Sequence, residues 1–227
     1  MITLYQFQGC PFCSKVRALL NFSKTPYETV DVSPRGMKEL EGVTDHRKVP
    51  VIKDGDTVVV ESATIIEYIN EKYAKLTVTD EDKKWTDWVD NKLVHFLPAL
   101  IHPSFSKSRE NIKKITSSGG FKGFIIPFFG AIIMPMVARK MKKKHNIQDP
   151  RAEYLAEIDQ WVKEGLDGKT FYGGDEASFV DCSVFGVLRS GHQLGTVKMA
   201  MTHSKDFATW YDRCYPLMTE DRLSEAE

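Results

Sequence analysis

At 227 residues the chain can hold one or two compact domains of roughly 150 residues each. Its 42% hydrophobic and 27% charged residues exclude the disordered, collagen-like and disulfide-dense classes. The 31 basic side chains equal the 31 acidic ones, so no global field draws the protein to nucleic acid.

The chain opens on alternating β-formers, Ile2 and Leu4 among them, and Gly9 ends this first strand. A strand at residues 1–7 is not a secretory signal, so the mature chain is expected to begin near Met1. Pro11 opens a helix at the one turn where its missing N–H has no partner to lose, and Val16, Leu19, Leu20 and Ser23 continue it. Residues 26–32 read as a second strand and residues 34–40 as a short helix. Residues 49–52 and 58–60 form a hairpin around Asp54-Gly55, a dipeptide favoured in tight turns. A helix over 63–73, with Ile65, Ile66 and Ile69 on one side, closes the unit. The order β, α, β, α, β, β, α predicts one mixed sheet with helices on its faces.

The expected division is therefore an α/β domain at 1–75, a linker at 76–79 and an all-α domain at 80–227. Thr79 serves as an N-cap, and helices are expected at about 81–101, 150–166, 179–193 and 204–215. Ser178 and Asp181 fit a capping box.

Four cysteines cannot staple a chain of this length, which favours a reducing, cytoplasmic setting. Cys10-Pro11-Phe12-Cys13 lies between a strand and a helix. At a helix N-terminus, unpaired N–H groups and the helix dipole favour thiolate, so Cys10 is the candidate nucleophile. Cys13, one turn on, could resolve a mixed disulfide. Two packed core thiols, or half of a zinc site, are the alternatives. Zinc needs a second ligand pair, and neither Cys182 and Cys214 nor the six histidines have metal-like spacing, so no metal is expected.

Val49-Pro50 is where a cis peptide would leave the Val49 backbone free to bind an extended peptide, or it is an ordinary edge-strand proline. At Glu61-Ser62 a hydroxyl and a backbone N–H would start a helix, either as a small carboxylate site or as a plain cap. In this order the three features make a coherent peptide-thiol site.

From Phe105 to Gln148 the chain carries 10 basic residues and one acid, Glu110. Within this stretch, residues 123–138 are uncharged and include Ile125, Ile126, Phe128, Phe129, Ile132 and Ile133; Arg139, Lys140 and Lys142 to Lys144 follow. As a helix the run spans about 24 Å, short of the roughly 30 Å of a bilayer core, and Pro127 and Pro135 interrupt it. Three readings remain for the segment 121–144: a core element lining the cleft, a membrane-surface element and an oligomer contact. The first is preferred and would bury Ile125, Phe128, Phe129 and Ile132.

The first 75 residues resemble the thioredoxin-like N-terminal domain of glutathione transferases, and the helical remainder resembles their C-terminal domain. More specific are Leu-Tyr-Gln-Phe-Gln-Gly-Cys-Pro-Phe-Cys-Ser-Lys-Val-Arg-Ala at 4–18 and Arg-Lys-Val-Pro-Val at 47–51. Lys-Met-Lys-Lys-Lys-His-Asn-Ile-Gln-Asp at 140–149 and Phe-Tyr-Gly-Gly-Asp-Glu-Ala-Ser-Phe-Val-Asp at 171–181 complete the set. Together these runs resemble the membrane-associated type 2 prostaglandin E synthase family.

The resemblance implies that Cys10 is the catalytic thiol and that Phe12, Val49, Pro50, Glu61 and Ser62 bind glutathione. It implies a homodimer, peripheral membrane contact and an apolar lipid endoperoxide as substrate, isomerised to the hydroxy-ketone. It also leaves open haem held alongside glutathione. His46-Arg47-Lys48 would attract the glycine carboxylate of glutathione, or form a solvated loop. The family's tyrosine three residues before the catalytic cysteine is Phe7 here, so that hydroxyl is missing. A glutaredoxin-like thiol-disulfide oxidoreductase using both cysteines is the alternative enzyme. A non-catalytic glutathione- or haem-binding protein at membrane surfaces is the alternative from another class.

Overall fold

The computed structural model describes residues 1–33, 36–115 and 120–219; the side chains of 115 and 120–129 lie outside the description. Four strands, β1 (Ile2–Gln6), β2 (Tyr27–Asp31), β3 (Val51–Asp54) and β4 (Thr57–Val60), form one sheet in the order β2-β1-β3-β4. β2 runs parallel to β1, whereas β3 is antiparallel to β1 and β4 to β3. The parallel pair needs a crossover, supplied by α1 (Pro11–Phe22). After β4 comes α2 (Ser62–Ile69), extended by a wider π-type turn at Asn70–Ala74.

Period-two alternation in β1 buries Ile2 and Leu4 against Val16, Leu19 and Leu20 of α1 and the three isoleucines of α2. On the opposite face Tyr5 packs against a smaller cluster of Val32, Leu40 and Val51.

Three local expectations are corrected. The third strand begins at Val51, so Val49-Pro50 leads into it rather than lying within it. The hairpin loop is Gly55-Asp56, one residue later than expected, because Asp54 is the last strand residue and pairs with Thr57. Gly55 takes φ 61°, and its missing Cβ makes this left-handed conformation cheap. Asp54 instead faces inward and accepts hydrogen bonds from Tyr68 (2.8 Å), Tyr73 (2.6 Å) and Lys72 (2.6 Å), which hold its carboxyl down at about 2. Finally, the helix expected at 34–40 is a single 3-10 turn, Lys38–Leu40, because Gly36 and Met37 both turn left-handed. Pro34 and Arg35 lie outside the described residues.

The rest is helical. α3 (Asp80–Trp88), a π-type turn (Val89–Leu93) and α4 (Val94–Ile101) follow one another without a break, and the Thr79–Asp82 capping box starts the series. Next come α5 (Phe105–Ile115), α6 (Gly120–Lys144) and α7 (Pro150–Gln160), the last continuing to Leu166. α8 (Phe179–Arg189), α9 (Thr196–His203) and α10 (Lys205–Met218) are the last elements among the described residues.

The helix expected over 179–193 stops at Arg189. Gly195 at φ 90° separates a short 3-10 turn, His192–Leu194, from α9, which has no counterpart in the expectations. α5 has none either, because its buried stripe is largely polar: Ser108 and Asn111 are buried beside Ile112. Ser108 bonds the His102 ring at 2.9 Å and Asn111 donates to the Ile101 carbonyl at 2.6 Å, so hydrogen bonds do the work that apolar side chains usually signal.

α8 is buried along its length and packs against α1. A Cβ on Gly186 would lie 2.5 Å from the Lys15 Cα, so this glycine is what allows the two backbones to approach. Lys15, fully buried, reaches across to Asp90 and bonds both carboxylate oxygens at 2.7 Å. Sheet and helical regions thus share one continuous core.

α6 departs from the preferred cleft placement. It buries Ala131, Pro135 and Ala138, while Ile132, Ile133, Met136 and Val137 are exposed. Ile125, Ile126, Phe128 and Phe129 lie outside the described side chains. Among the described residues no helix is long and apolar enough to cross a membrane.

Candidate active site at the end of the sheet

Tyr5 of β1 pairs with Val51 of β3, and Val51 pairs with Val60 of β4, so the three form one row across the sheet. From that row β1 exits toward Cys10, β3 is entered from Val49-Pro50, and β4 exits into Glu61-Ser62. Strand directions alone therefore bring the three singled-out segments to one end of the sheet. The Val49–Pro50 peptide bond is cis.

Cys10 is the N-cap of α1, with extended φ and ψ, and Pro11 occupies the first helical position. Its own N–H bonds the Phe7 carbonyl at 3.1 Å across the turn that contains Gly9, where φ is 82°. The Cys10 thiol is held down to about 7, chiefly by the hydrogen bond donated from the Cys13 thiol. Backbone N–H groups of Cys13 and Phe12 and the positive charge of Arg17 act in the same direction, against the opposing effect of burial. Cys13 is fully buried and its thiol is pushed far up by the same hydrogen bond and by desolvation. The pair divides its roles: one sulfur ionises, the other stays protonated and donates.

Phe12 serves the thiol through its backbone, and its half-buried ring packs on the main core. Arg17 was not among the expected site residues. Its signal was spacing, since Ser14 and Arg17 follow Cys10 at i+4 and i+7, on one face of a helix.

Glu61 adopts φ 64° and caps α2 through its backbone, so Ser62 is the first helical residue rather than the cap. The Glu61 carboxylate is exposed and lies 3.4 Å from the Lys48 ammonium and 3.7 Å from the His46 ring. The N–H groups at the start of α2, the Ser62 hydroxyl, the Lys48 ammonium and the Glu61 carboxylate suit a ligand that carries both carboxylate and ammonium. Phe7 is 38% exposed, and Tyr5, the nearest preceding hydroxyl on the strand, packs into the smaller cluster.

The model of the glutathione S-transferase N-terminal domain matches residues 4–77. Prostaglandin E synthase 2 of Danio rerio is 31% identical over 264 aligned residues, covering 93% of this chain and 70% of that protein. The Mus musculus protein of the same name is 26% identical, covering 93% and 69%. Among solved structures, an apo W234R mutant of human glutathione S-transferase T1-1 superposes with TM-score 0.67 at 19% identity, covering all of this chain and 87% of that one. Rice GST1 in complex with glutathione gives 0.61 at 17% identity, covering 94% and 85%. The fold is that of a glutathione transferase: a thioredoxin-like sheet domain followed by a helical domain.

Proposed function

The chain belongs to the prostaglandin E synthase 2 family, a family of enzymes, and we propose that it binds glutathione and isomerises a lipid endoperoxide with Cys10 as nucleophile. One observation carries this reading: the Tyr5–Val51–Val60 row, which turns three separate segments toward one end of the sheet beside a thiol held at about 7. Glutathione, when bound, supplies a second thiol and a peptide backbone. The chain's own residues bind and orient it, with the Val49 backbone pairing its extended backbone. The start of α2 at Glu61-Ser62 receives its γ-glutamyl end, and the Lys48 ammonium attracts its other carboxylate.

The Cys10 thiolate attacks one peroxide oxygen, forming an S–O bond as the O–O bond breaks; the released alkoxide takes a proton and becomes the hydroxyl. Loss of the proton from the carbon bearing the sulfur-linked oxygen forms the ketone, breaks the S–O bond and restores the thiolate. One proton enters and one leaves, and no electrons are consumed. Cys13 stabilises the attacking and the restored thiolate by donating its S–H. Haem has no step in this reaction, and His46 faces Glu61.

The hydrogen-bonded thiol pair also favours a second reading, a glutathione-dependent thiol-disulfide oxidoreductase. Purified protein offered a cyclic endoperoxide and, separately, a glutathione mixed disulfide decides between them. Isomerase activity that survives Cys13→Ser supports the first reading; disulfide reduction alone, lost in that variant, supports the second. Membrane contact is part of the proposal too, through the exposed Ile132, Ile133, Met136 and Val137 of α6 and the lysines that follow them.

A further inference from the structure

The alternation that turns Ile2 and Leu4 toward α1 continues to Gln6, the last residue of β1, whose amide is buried on the same face. In the parallel register Gln6 lies beside Asp31, the last residue of β2, and its amide nitrogen donates to the Asp31 carboxylate at 3.1 Å. Its amide oxygen accepts from the Arg17 guanidinium of α1. A carboxylate only accepts and a guanidinium only donates, so the amide satisfies both partners in one orientation alone. Strand register thus fixes the amide, and the amide fixes the arginine.

Arg17 follows Cys10 by seven residues, two helical turns, and long side chains on a helix lean back toward its N-terminus. The guanidinium therefore runs toward the thiol turn, where it lines a cleft of about 400 Å³ together with Gln6, Gln8, Gly9 and Ser14. The other charged groups on the walls of that cleft are Lys114 of α5 and Arg189 of α8, and among the described lining residues none is acidic. An arginine held by a carboxylate has much of its field cancelled by the partner's charge. Here the acceptor is a neutral amide, and the acid stands on the far side of that amide, so the positive charge is left to act on the sulfur. The same charge is among the influences that hold the Cys10 thiol down.

We propose that Gln6 is a positioning residue for the reaction: clamped by Asp31, it holds the Arg17 cation toward Cys10, so that a positive charge faces the sulfur before its attack and again when the thiolate is restored. The clamp moves no proton and no electron; its effect is electrostatic. It rests on the reading of Cys10 as the nucleophile and adds two residues, one on β1 and one on β2, that act on the sulfur through Arg17.

Alkylation of the full chain by iodoacetamide, followed across pH by mass spectrometry of the Cys10 peptide, tests the clamp. Asp31→Asn and Asp31→Ala both remove the acid's charge, but only asparagine keeps a carbonyl that accepts from Gln6, so the alanine variant should have the higher midpoint. Gln6→Met removes the amide at nearly constant volume and Arg17→Met removes the charge itself. Each should raise the Cys10 midpoint by about half a pH unit, which slows alkylation at pH 6.5 roughly threefold. The double variant should move no further than Arg17→Met alone, because the amide acts through the arginine. The gap between parent and variants should narrow as salt is added. Asp31 is exposed, so its two variants decide the matter if Gln6→Met folds poorly. A Gln6→Met variant that melts earlier but keeps the parent midpoint would show a merely structural amide and overturn the proposal, as would equal midpoints for Asp31→Asn and Asp31→Ala. A parent Cys10 that alkylates no faster than Cys182 at pH 6.5 would overturn the nucleophile itself, and the clamp with it.

Discussion

The protein carries two pairs of cysteines, one at the end of the sheet and one in the helical core, and the same side chain behaves oppositely in the two. Cys10 caps α1, is partly exposed and is held down to about 7 by the Cys13 S–H and by helix N-terminal N–H groups. Cys182 lies inside α8 and Cys214 inside α10, both buried; desolvation, with the charge of nearby Asp181 second, pushes both thiols well up. What holds one thiol down and pushes the other two up is place, at a helix end beside a donor or inside a buried helix, and not the residue type. In mid-helix the same N–H groups are already committed to the backbone ladder.

The strongest way to break this contrast is to open the helical core. Asp181 is fully buried and accepts from the Trp210 indole at 2.8 Å, from Tyr172 N–H at 3.0 Å and from both Ser178 donors at 2.8 Å. Asp181→Ala strands these donors and should cost about 3–5 kcal/mol. The melting temperature should drop and Cys182 and Cys214 should become open to iodoacetamide, as read by mass spectrometry; an unchanged melt with both thiols still blocked would refute this. Next is the contact that presses α1 onto α8. Gly186→Ala puts a methyl group against the Lys15 backbone and should cost about 1–3 kcal/mol by overpacking, measured by urea unfolding.

A smaller effect sharpens the contrast at the sheet end. In the parent, Cys10 alkylation should rise through a midpoint near pH 7, so that the thiol is already partly ionised at pH 6.5, where Cys182 stays unlabelled. The folded value lies below the ordinary thiol value, so loss of the donor must move the midpoint up. Cys13→Ala should shift it by about one unit, equivalent to about 1.4 kcal/mol, and a midpoint that stays in place would remove Cys13 from its role as donor.

The smallest effect belongs to α6. Ile133 is 54% exposed, so Ile133→Asp should change stability by no more than about 0.5 kcal/mol. Binding to anionic vesicles should fall if α6 is the membrane contact; equal binding by parent and variant would remove that role.

Much of the sheet domain could be read locally. Gly9 and Pro11 mark the turn that carries Cys10, and Ile2 and Leu4 alternate. Gly55 marks the hairpin, displaced by one residue because Asp54 is drawn inward by Tyr68, Lys72 and Tyr73, partners 14 to 19 residues away. α5 was illegible because its buried Ser108 and Asn111 carry no apolar period, and α9 because glycines divide it from its neighbour. By itself the sequence determined the strand order of the first 75 residues, the N-cap at Thr79, the capping box at Ser178 and the cysteine at a helix start, because each depends on chain neighbours only. Tertiary structure alone decided which face of α6 is covered, that Lys15 is buried against Asp90, and that Arg17 and Arg189 line one cleft. The first depends on how α4 and α5 fold back over α6, and the other two on surfaces that meet across 75 or more residues of chain; no local pattern encodes any of them.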